Sequence, residues 1–110
     1  MTKRDEFTRS VRDRLRQRVD GRCSNPDCDV STSAGSKTTD AVRCLGDAAH
    51  IRAAAPGGKR YDASMTSEQR RAFDNGLWLC TRCARLIDTD EVEFHVAKLV
   101  AWKADAEERA

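Results

Sequence analysis

Four cysteines stand in two close pairs, Cys23 with Cys28 in CSNPDC and Cys80 with Cys83 in CTRC. The first pair brackets a polar turn around Pro26, and the second opens a stretch that reads as a helix. Two such knuckles can present four thiolates to a tetrahedral zinc at about 2.3 Å without strain. Buried free thiols or disulfides are the alternative use. The odd total of five cysteines argues against a framework made only of disulfides. Cys44 has no partner at ligand spacing and reads as a small buried apolar residue. A second, looser group is His50 and Asn75. Imidazole titrates near about 6.5, so His50 could take a proton from water at neutral pH; a lone histidine serves equally as a satisfied structural residue. Asn75, just before GLWLC, can fix a loop or orient an imidazole through its amide.

Several elements must position these residues. Phe7, Val11, Leu15 and Val19 recur every four residues, with Arg9, Arg12, Arg14, Arg16 and Arg18 between them. That pattern predicts an amphipathic helix of roughly four turns, stopped at Gly21. Residues 29–40, DVSTSAGSKTTD, read as a loop without core signal, and AVRCLGDAAHI as one short strand ending near His50. AAAPGGKRYDASM is an irregular excursion. Thr66 and Gln69 stand at capping-box spacing and start a short helix. GLWL reads as a second strand, CTRCARLID as a helix, and HVAKLVAWKADAEERA as a closing helix with Val96, Leu99, Val100 and Trp102 on its apolar side. His95, at its start, reads as structural. No repeat or second domain is visible, so residues 1–110 form one domain: an N-terminal helix to 20, a core over 21–90 and a C-terminal helix over 91–110.

At 110 residues, 39% hydrophobic and 35% charged, the core is modest, and a metal would help hold it. The charged N-terminal stretch predicts neither an export nor a transmembrane segment, so the expected compartment is a reducing cytoplasm. Net charge is +2, unevenly spread. Residues 52–85 carry seven basic side chains against three acidic, and residues 86–110 the reverse, three against seven. A basic middle suits a phosphate backbone, although a solvated surface has the same signature.

Taken together, the order Cys-x4-Cys, His, Asn-x4-Cys-x2-Cys resembles the zinc-bearing HNH endonucleases over about residues 21–102. AAHIRAAAPGGKRYDASMT and DNGLWLCTRC look like one bacterial branch of that family. The resemblance implies an α+β fold: a small zinc-stabilised ββα-metal domain, treble-clef-like, with flanking helices. It implies a DNA endonuclease in which His50 is the general base, Asn75 holds the loop and the histidine, and Cys23, Cys28, Cys80 and Cys83 bind structural zinc. It also implies a catalytic Mg²⁺ or Mn²⁺. Members of the family occur as front domains of larger proteins, including antiphage effectors gated by a fused sensor domain; homodimers are a further form the resemblance leaves open.

Two departures matter. The family's metal ligands fall at Ala49 and Ala84, and alanine cannot bind a metal. Asp47 is a candidate replacement for the first, since alternation on a strand puts it on the same face as Ala49; a merely solvated carboxylate is the alternative. Nothing replaces the second, Ala84, as well, for Asp88 one turn on reads as a capping or pairing residue. This chain is therefore expected to be an impaired nuclease. Arg52, Lys59, Arg60, Arg82 and Arg85 are the expected DNA-backbone contacts, with Gly57 and Gly58 allowing close approach and Tyr61 stacking or packing. No base-reading motif stands out, so binding should be largely indifferent to sequence. A non-catalytic zinc module that binds DNA or a protein is the second reading.

Overall fold

A computed structural model describes residues 4–110. It is an α+β arrangement of four helices and two small antiparallel sheets. Helix α1 spans Arg9–Gln17, strands β1, β2 and β3 span Ser33–Gly35, Val42–Cys44 and Gly46–His50, and α2 spans Ser67–Arg71. A 3₁₀ turn, Phe73–Asn75, leads into β4, Gly76–Cys80; α3, Thr81–Leu86, follows without a break, and α4 is Val96–Arg109. No helix among the described residues is long and apolar enough to cross a membrane.

The organising unit is β3–β4–α3. Strands β3 and β4 pair antiparallel, with His50 opposite Gly76 and Gly46 opposite Cys80. Every residue of β4 is buried, because the strand has a core on each face. Leu77 and Leu79 point into one cluster with Ile51, Ile87, Phe94, Leu99 and Trp102. Trp78 points the other way, into a cluster with Phe7, Val11, Leu15 and Val19. This opposition is the period-2 alternation of a strand, and α1 supplies the lid of the second cluster. The Trp78 indole N–H donates to Thr32 Oγ1 at 2.9 Å, and Thr32 donates to the Gly21 carbonyl at 2.6 Å, so these two buried side chains are satisfied.

Several expectations need correction. Helix α1 covers only nine residues: Thr8 caps it, accepting from Val11 N, and Phe7 and Val19 reach the core from outside the helix. The predicted single strand before His50 is two strands, broken at Leu45, that belong to different sheets. The predicted loop at 29–40 supplies β1 and the buried Thr32; its small residues carry almost no hydrophobic signal, and backbone pairing with β2 makes the strand. Cys44 is exposed, because β2 pairs only with β1 and both faces meet solvent around it. On α4, Leu99, Trp102 and Ala106 are buried, but Val100 is 48% exposed. The capping box is present, with Thr66 and Gln69 each bonding the other's backbone N–H.

Candidate functional site

The four cysteines come together. The Sγ atoms of Cys23, Cys28, Cys80 and Cys83 all lie within 4.8 Å of one another. Cys28 Sγ and Cys80 Sγ are 3.9 Å apart. A tetrahedron with Zn–S of about 2.3 Å requires sulfurs near 3.8 Å apart, so the donor set fits such an ion. The local chain explains the placement. Asn25 folds the first knuckle: its carbonyl accepts from Cys28 N at 2.9 Å and its side-chain oxygen from Asp27 N at 3.0 Å. Its amide then donates to Cys83 Sγ at 3.5 Å. On the second knuckle, Cys80 is the N-cap of α3, its sulfur accepting from Cys83 N at 3.4 Å. Donors of this kind orient and stabilise thiolates. Burial pushes the Cys23 thiol well up and holds Cys83 at about 11. Cys80 moves the other way: burial raises it, but the hydrogen bonds from Cys83 and the neighbouring thiols outweigh that. Four thiolates this close, three of them buried, would repel one another, and a divalent cation removes that conflict.

A cleft of about 230 Å³ opens beside β3 and α3. Its walls include Asp47, Ala49, His50, Lys59, Ala84 and Asp88. Residues far apart in sequence thus meet in one cleft. His50 is held on two sides by the segment before α1. Its Nε2 lies 2.9 Å from the Asp5 carbonyl. A carbonyl only accepts, so Nε2 carries the proton and Nδ1 keeps its lone pair. Its ring stacks on Phe7, centroids 3.9 Å apart and planes 10° off parallel. Gly76 makes room for this: a Cβ there would lie 2.7 Å from Leu15 Cδ1 and 2.8 Å from Phe7 Cζ. Burial lowers the imidazole's pKa below 6.5, and the Asp5 carbonyl offsets only part of that. The imidazole is therefore neutral at physiological pH.

Asp5 is itself anchored. Its backbone N–H donates to the Ala54 carbonyl at 3.0 Å, and its carboxylate faces Arg70 at 3.4 Å and Arg71 at 3.5 Å. Burial pushes that carboxyl up, but Ser67 and the two arginines outweigh it and hold the group below 3.8. Asn75 is buried and clamps the chain just after His50. Its side-chain oxygen accepts from Arg52 N at 2.9 Å, and its amide donates to the carbonyls of Arg52 at 2.9 Å and Arg70 at 3.0 Å.

The expected basic contacts divide. Lys59 is exposed on the cleft wall, and Arg82 and Arg85 are exposed on α3 beside Ala84. Arg52 is paired with Asp62 at 3.0 Å and lines a different depression. Arg60 is not free to meet a phosphate. Its guanidinium is 3% exposed and donates to the carbonyls of Ile51, Ile87 and Phe94 at 2.6, 2.8 and 3.3 Å, and to Asp88 at 3.0 Å. It staples the loop after His50 to the end of α3. Tyr61 packs, with Arg70 over its ring. Gly58 lies so close to Ala53 that a Cβ would fall 2.6 Å from the alanine's. His95 caps α4, its Nδ1 accepting from Lys98 N at 3.2 Å.

For a catalytic cation the cleft offers three carboxylates, Glu6, Asp47 and Asp88, of which Glu6 is tied to Arg4 and Asp88 to Arg60. Among the described residues the four-cysteine cluster is the one group of three or more donors close enough to share an ion. The cleft therefore does not fit a divalent ion held by protein donors alone. Sequence reasoning missed Asp5, Phe7 and Asn25. Phe7 carried a signal of burial but none of stacking on an imidazole, and the Asp5 contact runs through a backbone carbonyl, which no side-chain motif encodes. No protein-family model matches the chain, and no curated protein matches it either.

Proposed function

We propose that this chain is an HNH-type nuclease domain acting on DNA, with a zinc-bound cysteine cluster as its structural pin and a catalytic cleft that lacks part of its metal grip. One observation carries the reading: a neutral His50 with its tautomer set by the Asp5 carbonyl lines the same cleft as Asp47, Ala49 and Ala84. In this reading β3, β4 and α3 are the ββα unit, Asn75 holds the loop behind the base, and Nδ1 of His50 takes the proton from the attacking water. Lys59, Arg82 and Arg85 contribute sequence-independent attraction for the phosphate backbone. A divalent ion, when bound with substrate, would supply charge stabilisation to the scissile phosphate and the leaving oxygen. Asp47, exposed and the one cleft carboxylate not tied to an arginine among the described residues, is the residue that would contribute to holding it.

The alanines at 49 and 84 favour a second reading, a zinc module that binds DNA without cutting it. The experiment separating the two is supercoiled-plasmid cleavage by Ala84→His in Mg²⁺ or Mn²⁺, with Ala84→His/His50→Ala alongside. Cutting by the first protein and none by the second supports the nuclease scaffold. A zinc-loaded, DNA-binding Ala84→His protein that leaves plasmid intact supports the binding module.

A further inference from the structure

The His50 cleft does not end at β3. Asp47 and Ala48 also form part of the wall of a second groove, of about 490 Å³, between β3 and α1. The helix side of that groove carries Arg9, Arg12 and Arg16, with Asp13 the one acid there, and Cys44 lies on the opposite wall. Spacings of three and four residues stack the three guanidinium groups on one face. Among the described residues none of the three has an ion-pair partner, whereas Arg18, one turn on, is bound to Glu107 at 2.7 Å. Like charges three and four apart weaken a helix, and an anion lying along them reverses that penalty. The dimensions suit a polyanion. Seven residues of helix advance about 10 Å at 1.5 Å each, which is about three phosphate steps of one DNA strand at about 3.4 Å per step along the axis.

We propose that Arg9, Arg12 and Arg16 form a phosphate track that carries a DNA backbone away from the His50 cleft along α1. The inference rests on the reading of that cleft as a DNA site, and it gives the arginine-rich first helix a binding role beyond covering Trp78. None of these three residues is buried, and Val11 and Leu15 carry the helix's buried face, so the track can be removed while the helix keeps its core contacts.

The test is fluorescence anisotropy of a labelled DNA duplex over a range of salt concentrations. The native chain, Arg9→Gln/Arg12→Gln/Arg16→Gln and the control Arg14→Gln, outside the groove, are compared after circular dichroism shows that each is folded. The triple variant should bind at least about tenfold more weakly, and its slope of log K against log salt should fall by between about two and three, at roughly 0.9 per lost contact. Arg14→Gln should bind like the native chain. DNA should also slow alkylation of Cys44, the exposed thiol in the groove, by iodoacetamide. Native-like affinity and slope in the triple variant, or an unchanged Cys44 rate under saturating DNA, would overturn the track while leaving the cleft reading intact. If the native chain binds no duplex at all, the track and the cleft reading fall together.

Discussion

The cysteine side and the cleft side of the β3–β4–α3 unit are in different states of completeness. On the cysteine side every donor is present: four sulfurs within 4.8 Å, two tight turns that present them, and Asn25 bonded to one of them. On the cleft side the supporting parts are present, but five of the twelve lining residues are alanines, Ala49 and Ala84 among them. His50 is stacked, hydrogen-bonded and neutral, and Asn75 has its amide fully engaged, yet of the three carboxylates in the cleft two are tied to arginines. The contrast teaches that the donors able to hold a metal and the residues lining the cleft are separate sets, even where they are neighbours: Cys83 and Ala84 are adjacent on α3, one facing the cysteine cluster and the other lining the cleft.

The largest effect should come from breaking the complete side. Structural zinc in small domains contributes about 10–16 kcal/mol, as much as the whole stability of a typical domain, about 5–15 kcal/mol. Purified protein should contain one zinc per chain. A strong chelator, or Cys80→Ser, should abolish cooperative thermal unfolding; retention of a sharp transition without metal would show that the apolar clusters suffice alone.

Next in size are the residues that join the two sides. Arg60 satisfies three buried carbonyls, and Arg60→Ala should cost roughly 2–4 kcal/mol, measured by urea unfolding. Asn75→Ala should cost a similar amount, since it orphans Arg52 N and the carbonyls of Arg52 and Arg70. Losses under about 0.5 kcal/mol would mean that the loop is held by other contacts. Both variants should keep their zinc, which is the sharper reading: the cleft loop can loosen while the cysteine side stands.

The smallest effect concerns the titration of His50. Burial lowers its folded-state pKa below 6.5. Above about 6.5 both folded and unfolded chains hold it neutral, and its contribution to stability is fully present. As pH falls below that value the unfolded chain takes up the proton first, so stability declines until the folded imidazole also protonates. The His50 Cε1–H signal should therefore titrate below 6.5. Phe7→Ala, which uncovers the ring, should move the midpoint up; no movement would remove Phe7 from the account of the base.

Much of the fold was legible because its elements carry periodic or chemical signals. The two cysteine pairs, the Thr66–Gln69 box and GLWLC each specify local structure through their own side chains, and the structure has them as turn, helix and strand. The buttress behind His50 was not legible, because Asp5 acts through its carbonyl and the Phe7 contact joins segments more than forty residues apart. Arg60 shows the opposite failure. Its charge and neighbourhood suggested a phosphate contact, but a guanidinium can also close a loop by donating to several carbonyls, and composition cannot distinguish the two. Cys44 was misjudged for a related reason: a short strand flanked by apolar residues looks buried until its sheet proves to have two strands.

The central claim is that the scaffold is a nuclease whose shortfall lies at position 84. Its most direct test is the ratio of plasmid nicking rates, Ala84→His over the native chain, at matched zinc content and saturating Mg²⁺. The account predicts a ratio of at least about a hundred, the scale on which a lost electrostatic stabiliser slows a reaction. A ratio near one, with both proteins folded and bound to DNA, would contradict it.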